Sequence, residues 1–423
     1  MSDAKQRFVD AINAQDAEAL AALLDSDGDV AGLINEPIGY FGGRALHAAV
    51  KHRPTLDVLL DRGADPNLAS DWSEGPFTVL DQTDEATVRH LLTRGATLTP
   101  HVAARLGWTD ELTAMLDADP HRVHERGGDG KRPLHWAGTV AIADLLLDRL
   151  ADIDARCTDH TSTPVQYLLK DHPDVARHLL ERGATPDIFA TVFLGDLERT
   201  RQQLDENPKV SGHRIGHDGY NRVPSGTMYQ WILGYGLSPL DLAAETPDML
   251  ALLCEHADAK TRFLAAAARG DREAADAEEL PSLETADHAL LGDAIRRGNN
   301  DAVRLMLEFG FDPTLPYRGL DNGTALHVAA WFGRPELVRM LLEDGRCDLE
   351  ARDGSHGATV LSWACHGAVH CRRDDPVYVD VVQMLIDAGS ETDIDAHAGG
   401  STLHAQAAGR PDVQAVLASV TGG

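Results

Sequence analysis

Along this chain apolar residues recur three and four apart in short runs broken by glycines, a pattern that predicts paired amphipathic helices. The clearest instance is TALHVAAWFGRPELVRMLLEDG at Thr324–Gly345. Thr-Ala opens a short helix, Gly333 closes it, and a second helix runs to Gly345. Each helix has one apolar face, so a pair cannot bury its apolar surface alone and must stack on neighbours. The second helix ends in two apolar residues, two variable ones and a glycine. That ending recurs at Leu59-Leu60 before Gly63, Leu91-Leu92 before Gly95 and Leu179-Leu180 before Gly183. It returns at Met306-Leu307 before Gly310, Leu341-Leu342 before Gly345 and Leu385-Ile386 before Gly389. Gly63 and Gly95 are 32 residues apart, Gly310 and Gly345 are 35 apart, and such a glycine supplies the left-handed residue that ends a helix.

A second signature opens the first helix of each pair. It is clearest at Thr324-Ala-Leu-His327-Val-Ala and recognisable at Arg44-Ala-Leu-His47, Arg132-Pro-Leu-His135, Thr163-Pro-Val-Gln166, Ser238-Pro-Leu-Asp241 and Ser401-Thr-Leu-His404. With a period near 33 residues, this resembles the ankyrin repeat and its T-P-L-H-x-A motif, in the manner of bacterial-type ankyrin-repeat proteins. The resemblance implies an all-α ankyrin-repeat solenoid: helix-turn-helix repeats stacked in a curved superhelix with short finger loops. It extends over nearly the whole chain, implying one domain, 1–423, of about twelve repeats. Residues 1–35 read as a degenerate N-terminal capping repeat and 395–423 as a C-terminal one.

The resemblance also implies roles for side chains. The signature histidines His47, His135, His327 and His404 are expected to be structural hydrogen-bonding groups between repeats. The residues just before the glycine of the first helix, and the loop before the signature, are expected to face the concave groove. Those positions are Trp331 and Phe332, then His366 in the following repeat and Arg296 and Arg297 in the preceding one; the repeat at Thr163 adds Lys170, Asp159 and His160. Trp136, Tyr167 and Trp363 follow the signature histidine position and are expected toward the inter-repeat core.

Two stretches depart from the period. Thr324 to Leu341 is 17 residues, whereas Thr359 to Leu385 is 26, so nine residues are added within Cys365–Asp380, beside His366. A longer inserted loop, 205–236, mixes Gly, His, Asn and aromatics without a sustained helical period. A loop of that length is functional or disordered, and Tyr220, Tyr229, Trp231 and Tyr235 argue against disorder. His366 and His370, four apart and flanked by Cys365 and Cys371, have the spacing that lets two helical histidines share one ion. The cluster has no second pair at zinc-ribbon or finger spacing, so no metal and no cofactor is expected.

The formal charge of −29, from 38 basic and 67 acidic residues, argues against a nucleic-acid partner, which needs a basic footprint. No apolar run approaches a membrane span. The first twenty residues read as an amphipathic helix rather than a signal peptide. Five cysteines without disulfide-framework spacing suggest reduced thiols and a cytoplasmic protein. The expected function is a binding protein that recognises a protein or other ligand, such as a small polar molecule, through the groove: Lys170, His217, Trp231, Arg296, Arg297, Trp331 and Phe332. The alternative is an enzyme or small-molecule-binding protein whose pocket is closed by the 205–236 and 365–380 insertions. It would draw on Asp159, His160, His217, Asp218, Tyr229, His366 and His370 as acids, bases and hydrogen-bonding groups. Nucleophile-elbow, P-loop, dinucleotide-fingerprint and zinc-protease motifs are all missing from the sequence, so no reaction is assigned.

Overall fold

A computed structural model describes residues 3–217, 227–371, 377–393 and 400–421. Among them the chain is helical, an all-α ankyrin solenoid fold without β-strands. Two isolated bridges, Tyr317–Gly323 and Arg352–Thr359, mark loop turns between repeats.

The repeat at Thr324 shows why the sequence folds this way. Its first helix, Ala325–Trp331, buries Ala325, Leu326, His327, Val328, Ala329 and Ala330. The second, Pro335–Asp344, begins on a proline whose missing N–H costs nothing at a helix start and buries Leu337, Val338 and Leu341. Gly345 ends it in the left-handed region, φ 76°. At the matching position of another repeat stands Leu150, held at φ 64° and almost fully exposed.

The signature histidines stitch one repeat to the next. His327 Nδ1 accepts the Thr324 N–H at 3.1 Å, and its Nε2 lies 3.2 Å from the Ala358 carbonyl of the following repeat. His135 does the same between Arg132 and Ser162, and His47 between Arg44 and Phe77. Because Nδ1 accepts, Nε2 carries the proton and donates. Burial pushes His135 down to about 3 and lowers His47 and His327 as well. His404 differs: it is exposed, and no further-repeat carbonyl stands opposite it among the described residues.

The chain divides into two compact units. The first comprises Met1–Asp196 with Asn221–Gly234, the second Leu197–Tyr220 with Tyr235–Gly423. In the second unit one apolar core runs from Phe263 through the first and second helices of successive repeats to Leu417. The 205–236 stretch is more structured than an irregular loop: it carries a 3-10 turn at Pro208–Gly212 and a short helix at Met228–Ile232. Part of the nine-residue insertion lengthens a helix instead of a loop. Val360–His370 has 11 residues against 7 in Ala325–Trp331, so the added residues first continue the helix by about one turn.

Candidate functional site

In the second unit, the sequence-predicted groove positions lie on successive first helices, Ala289–Arg297, Ala325–Trp331 and Val360–His370. Trp331 and His366 are half-buried, with ring centroids 5.7 Å apart. The His366 and His370 rings lie 4.2 Å apart, and His370 is exposed. The helix ends are pinned from behind. The Tyr378 hydroxyl donates to the Trp331 carbonyl at 2.6 Å, and a side chain at Gly367 would collide with that same carbonyl. Trp363 is a core residue whose indole N–H donates to Asp353 at 2.8 Å, and its ring meets Trp331 edge-on at 6.0 Å. Phe332 packs against the apolar core and is half-exposed.

Arg296 and Arg297 have separate tasks. Arg297 donates to the Tyr235 and Ala268 carbonyls at 3.1 and 3.4 Å, tying its helix to neighbouring backbone. Arg296 lies with its guanidinium carbon 5.0 Å from the Tyr235 ring centroid and reaches the Gly319 carbonyl at 3.5 Å.

His217 comes from the inserted stretch and leads to a residue that pattern reading passes over. Its Nε2 lies 2.7 Å from Asp293, a carboxylate with 0% exposure inside the Ala289–Arg297 helix. The Tyr317 hydroxyl donates to the other oxygen at 2.6 Å. Burial by itself pushes the Asp293 carboxyl up; the charge and hydrogen bond of His217, then Arg297 and Tyr317, outweigh it and hold the group below the usual carboxylate range. Burial and the adjacent carboxylate push the Tyr317 phenol well up. The sequence carried a signal for Asp293. Aligned on Gly298 and Gly333, it occupies the register of the fully buried Val328.

The first unit gathers a second set. Asp159 and His160 share one loop, His160 buried and Asp159 partly exposed, with the carboxylate 3.4 Å from His160 Nε2. The His160 ring stands 6.3 Å from Trp231 and 6.4 Å from Tyr167. Trp231 is 67% exposed, on the Met228–Ile232 helix. Tyr229 of that helix is fully buried; its hydroxyl donates to both oxygens of Asp187, and its ring packs on Phe189. Tyr229 thus anchors the inserted helix. Beneath lies Lys131, 6% exposed, which sequence reasoning missed. Its ammonium sits 3.8 Å from the Trp136 ring centroid, 5.0 Å from Tyr167 and 3.3 Å from Asp129. Burial lowers its affinity for a proton while Asp129 restores part of it. Lys170 is exposed on the turn after Pro164–Leu168.

Asp218 and Tyr220 lie outside the described residues. Among the described residues, no three or more His, Cys, Asp or Glu side chains converge as a metal cluster, and the cysteines are free thiols. Burial pushes the Cys365 thiol up to about 12, which makes it a packing group. A cavity of about 90 Å³ is lined by Thr285, His288, Asp312, Tyr317 and Arg318, among others. It is small beside the few hundred Å³ usual for organic ligands, and it touches none of the sequence-predicted site residues. Among the described residues no helix is long and apolar enough to cross a membrane.

Comparison with known proteins agrees with the repeat pattern. A family model of ankyrin repeats (3 copies) matches residues 264–353 and 291–396. An E3 ubiquitin-protein ligase, KEG, of Arabidopsis thaliana is 23% identical over 322 residues, 72% of this chain and 17% of its own length. Human diacylglycerol kinase iota is 31% identical over 139 residues, 32% of this chain and 12% of its own. Protein PhlB of Serratia liquefaciens is 31% identical over 143 residues, 33% of this chain and 58% of its own. The chain spans only 17% and 12% of the ligase and the kinase, and what it shows is the presence of ankyrin repeats within residues 264–396.

Proposed function

We propose that this chain is a binding protein whose recognition face in the second unit is formed by Arg296, Trp331, Phe332, His366 and His370. The ankyrin repeats match there, and repeats of this kind serve protein interaction; extension of the repeats over nearly the whole chain belongs to the same proposal. The observation that carries it is the Trp331–His366 pair, two half-exposed rings 5.7 Å apart on adjacent first helices. Trp and Arg are the side chains that most often dominate protein interfaces, and here their backbones are fixed in advance, which lowers the ordering cost of binding. The partner is a protein segment, and the setting is cytoplasmic.

The test is affinity capture with the full chain and a Trp331→Ala/Arg296→Ala variant, with Arg339→Ala on the second-helix surface as control. A discrete protein held by the wild type and by Arg339→Ala, and lost by the double variant, supports the reading. Equal capture by all three contradicts it.

A second reading rests on the first unit, where the inserted helix brings Trp231 against His160, itself paired with Asp159. There the surface would bind a small polar ligand. A metabolite that raises the melting temperature of the wild type but not of His160→Ala would favour this reading, since a ligand stabilises by mass action.

A further inference from the structure

We infer that His366 and His370 form a two-histidine clamp for a borderline divalent transition-metal ion of the zinc, nickel or copper kind. Val360–His370 is one continuous helix, so residues four apart lie on the same face. Their rings stand 4.2 Å apart with planes inclined by 43°, close enough for a small rotation to aim one nitrogen of each at a shared ion about 2 Å away. His370 is exposed and His366 half-buried, so an ion reaches them without opening the core. The backbone beneath is held: Cys365, Gly367 and Ala368 are buried, and Gly367 packs on the Trp331 carbonyl. A clamp on a fixed helix needs little ordering on binding.

The donor set selects the metal. Two imidazoles suit ions of intermediate softness and disfavour magnesium and calcium, which require oxygen ligands. Cys365 is fully buried on the core side and contributes nothing. Among the described residues no third ligand joins the pair, so two imidazoles are the donors the clamp rests on. A two-imidazole clamp of this kind holds an ion less tightly than a closed four-ligand structural site. Trp331, 5.7 Å from His366, stands where an open-shell ion would quench its fluorescence. The clamp does not depend on a protein partner docking on the same face.

Calorimetric titration of the full chain with nickel chloride, and with magnesium chloride as control, tests this. The chain carries 20 histidines, so the variants locate the site. Nickel is expected to bind the wild type and Cys371→Ser alike. His366→Ala and His370→Ala should each weaken it on the order of tenfold or more while the chain stays folded by circular dichroism. Trp331→Phe should keep the heat of binding and lose most of the quenching. Wild-type affinity in either histidine variant overturns the clamp, as does loss of binding in Cys371→Ser or equal binding of magnesium.

Discussion

Asp293 in the second unit and Lys131 in the first are both charged side chains taken out of water, and the two units neutralise them differently. Asp293 has 0% exposure and is held by His217, the Tyr317 hydroxyl and the nearby Arg297. Lys131 lies over aromatic faces, with a single carboxylate 3.3 Å away. A carboxylate inside a helix can be satisfied only by donors placed around it, so it depends on each of them. An ammonium over rings gains from their faces in addition to its ion pair. The first arrangement fails when one donor is lost. The second tolerates an apolar side chain of similar length.

Breaking the first arrangement gives the largest expected effect. His217→Ala should destabilise the second unit by about 3 kcal/mol, because it strands a buried charge, and adding Asp293→Asn should recover much of the loss. Urea unfolding followed by circular dichroism measures both; a loss under about 1 kcal/mol would show that His217 is not the counter-group. Because the Asp293 carboxyl is held low, its contribution is present above the ordinary carboxylate value and disappears as pH falls below about 4.

The signature histidines sharpen the contrast from the neutral side. His327→Ala should cost about 2 kcal/mol, since it leaves a buried N–H and a carbonyl without partners, whereas His404→Ala, at an exposed residue, should cost under about 0.5 kcal/mol. Equal losses would contradict the inter-repeat role. His47, His135 and His327 are held down by burial, so the unfolded chain takes up more protons than the folded one below about pH 6.5, and stability falls as pH drops below that value. His135→Gln should flatten that slope in pH-dependent melts.

Smaller effects close the comparison. Lys131→Met should change the stability of the first unit by about 1 kcal/mol or less; a loss as large as that of His217→Ala would mean that the Asp129 ion pair, and not the ring faces, holds the ammonium. Leu150→Gly should raise stability by up to about 1 kcal/mol, by relieving a left-handed backbone that a branched side chain opposes. An unchanged melting temperature would show that no strain resides there.

The contrast also marks what pattern reading reaches. Periodicity places Ala325–Trp331, Pro335–Asp344 and their counterparts, because each must bury one face. The ankyrin resemblance supplies the role of the signature histidines, which His47, His135 and His327 fill and the exposed His404 does not, and it puts Trp331 and His366 on one row. It misses Lys131, whose ring partners Trp136 and Tyr167 come from further along the chain, and it passes over Asp293, whose partners His217 and Tyr317 lie 76 and 24 residues away. The insertions resist prediction because they leave the period: part of one lengthens a helix, and the other carries Tyr229 as a buried anchor and Trp231 as an exposed ring. The Asp159–His160 pair was legible as chemistry, yet its association with Trp231 depends on where the inserted helix packs.

Hydrogen–deuterium exchange of the full chain with a partner recovered by affinity capture tests the binding reading most directly. Added protection is expected within residues 289–297, 325–332 and 360–370, the first helices that carry Arg296, Trp331 and His366. Protection confined to other segments, with these three unchanged, would contradict it.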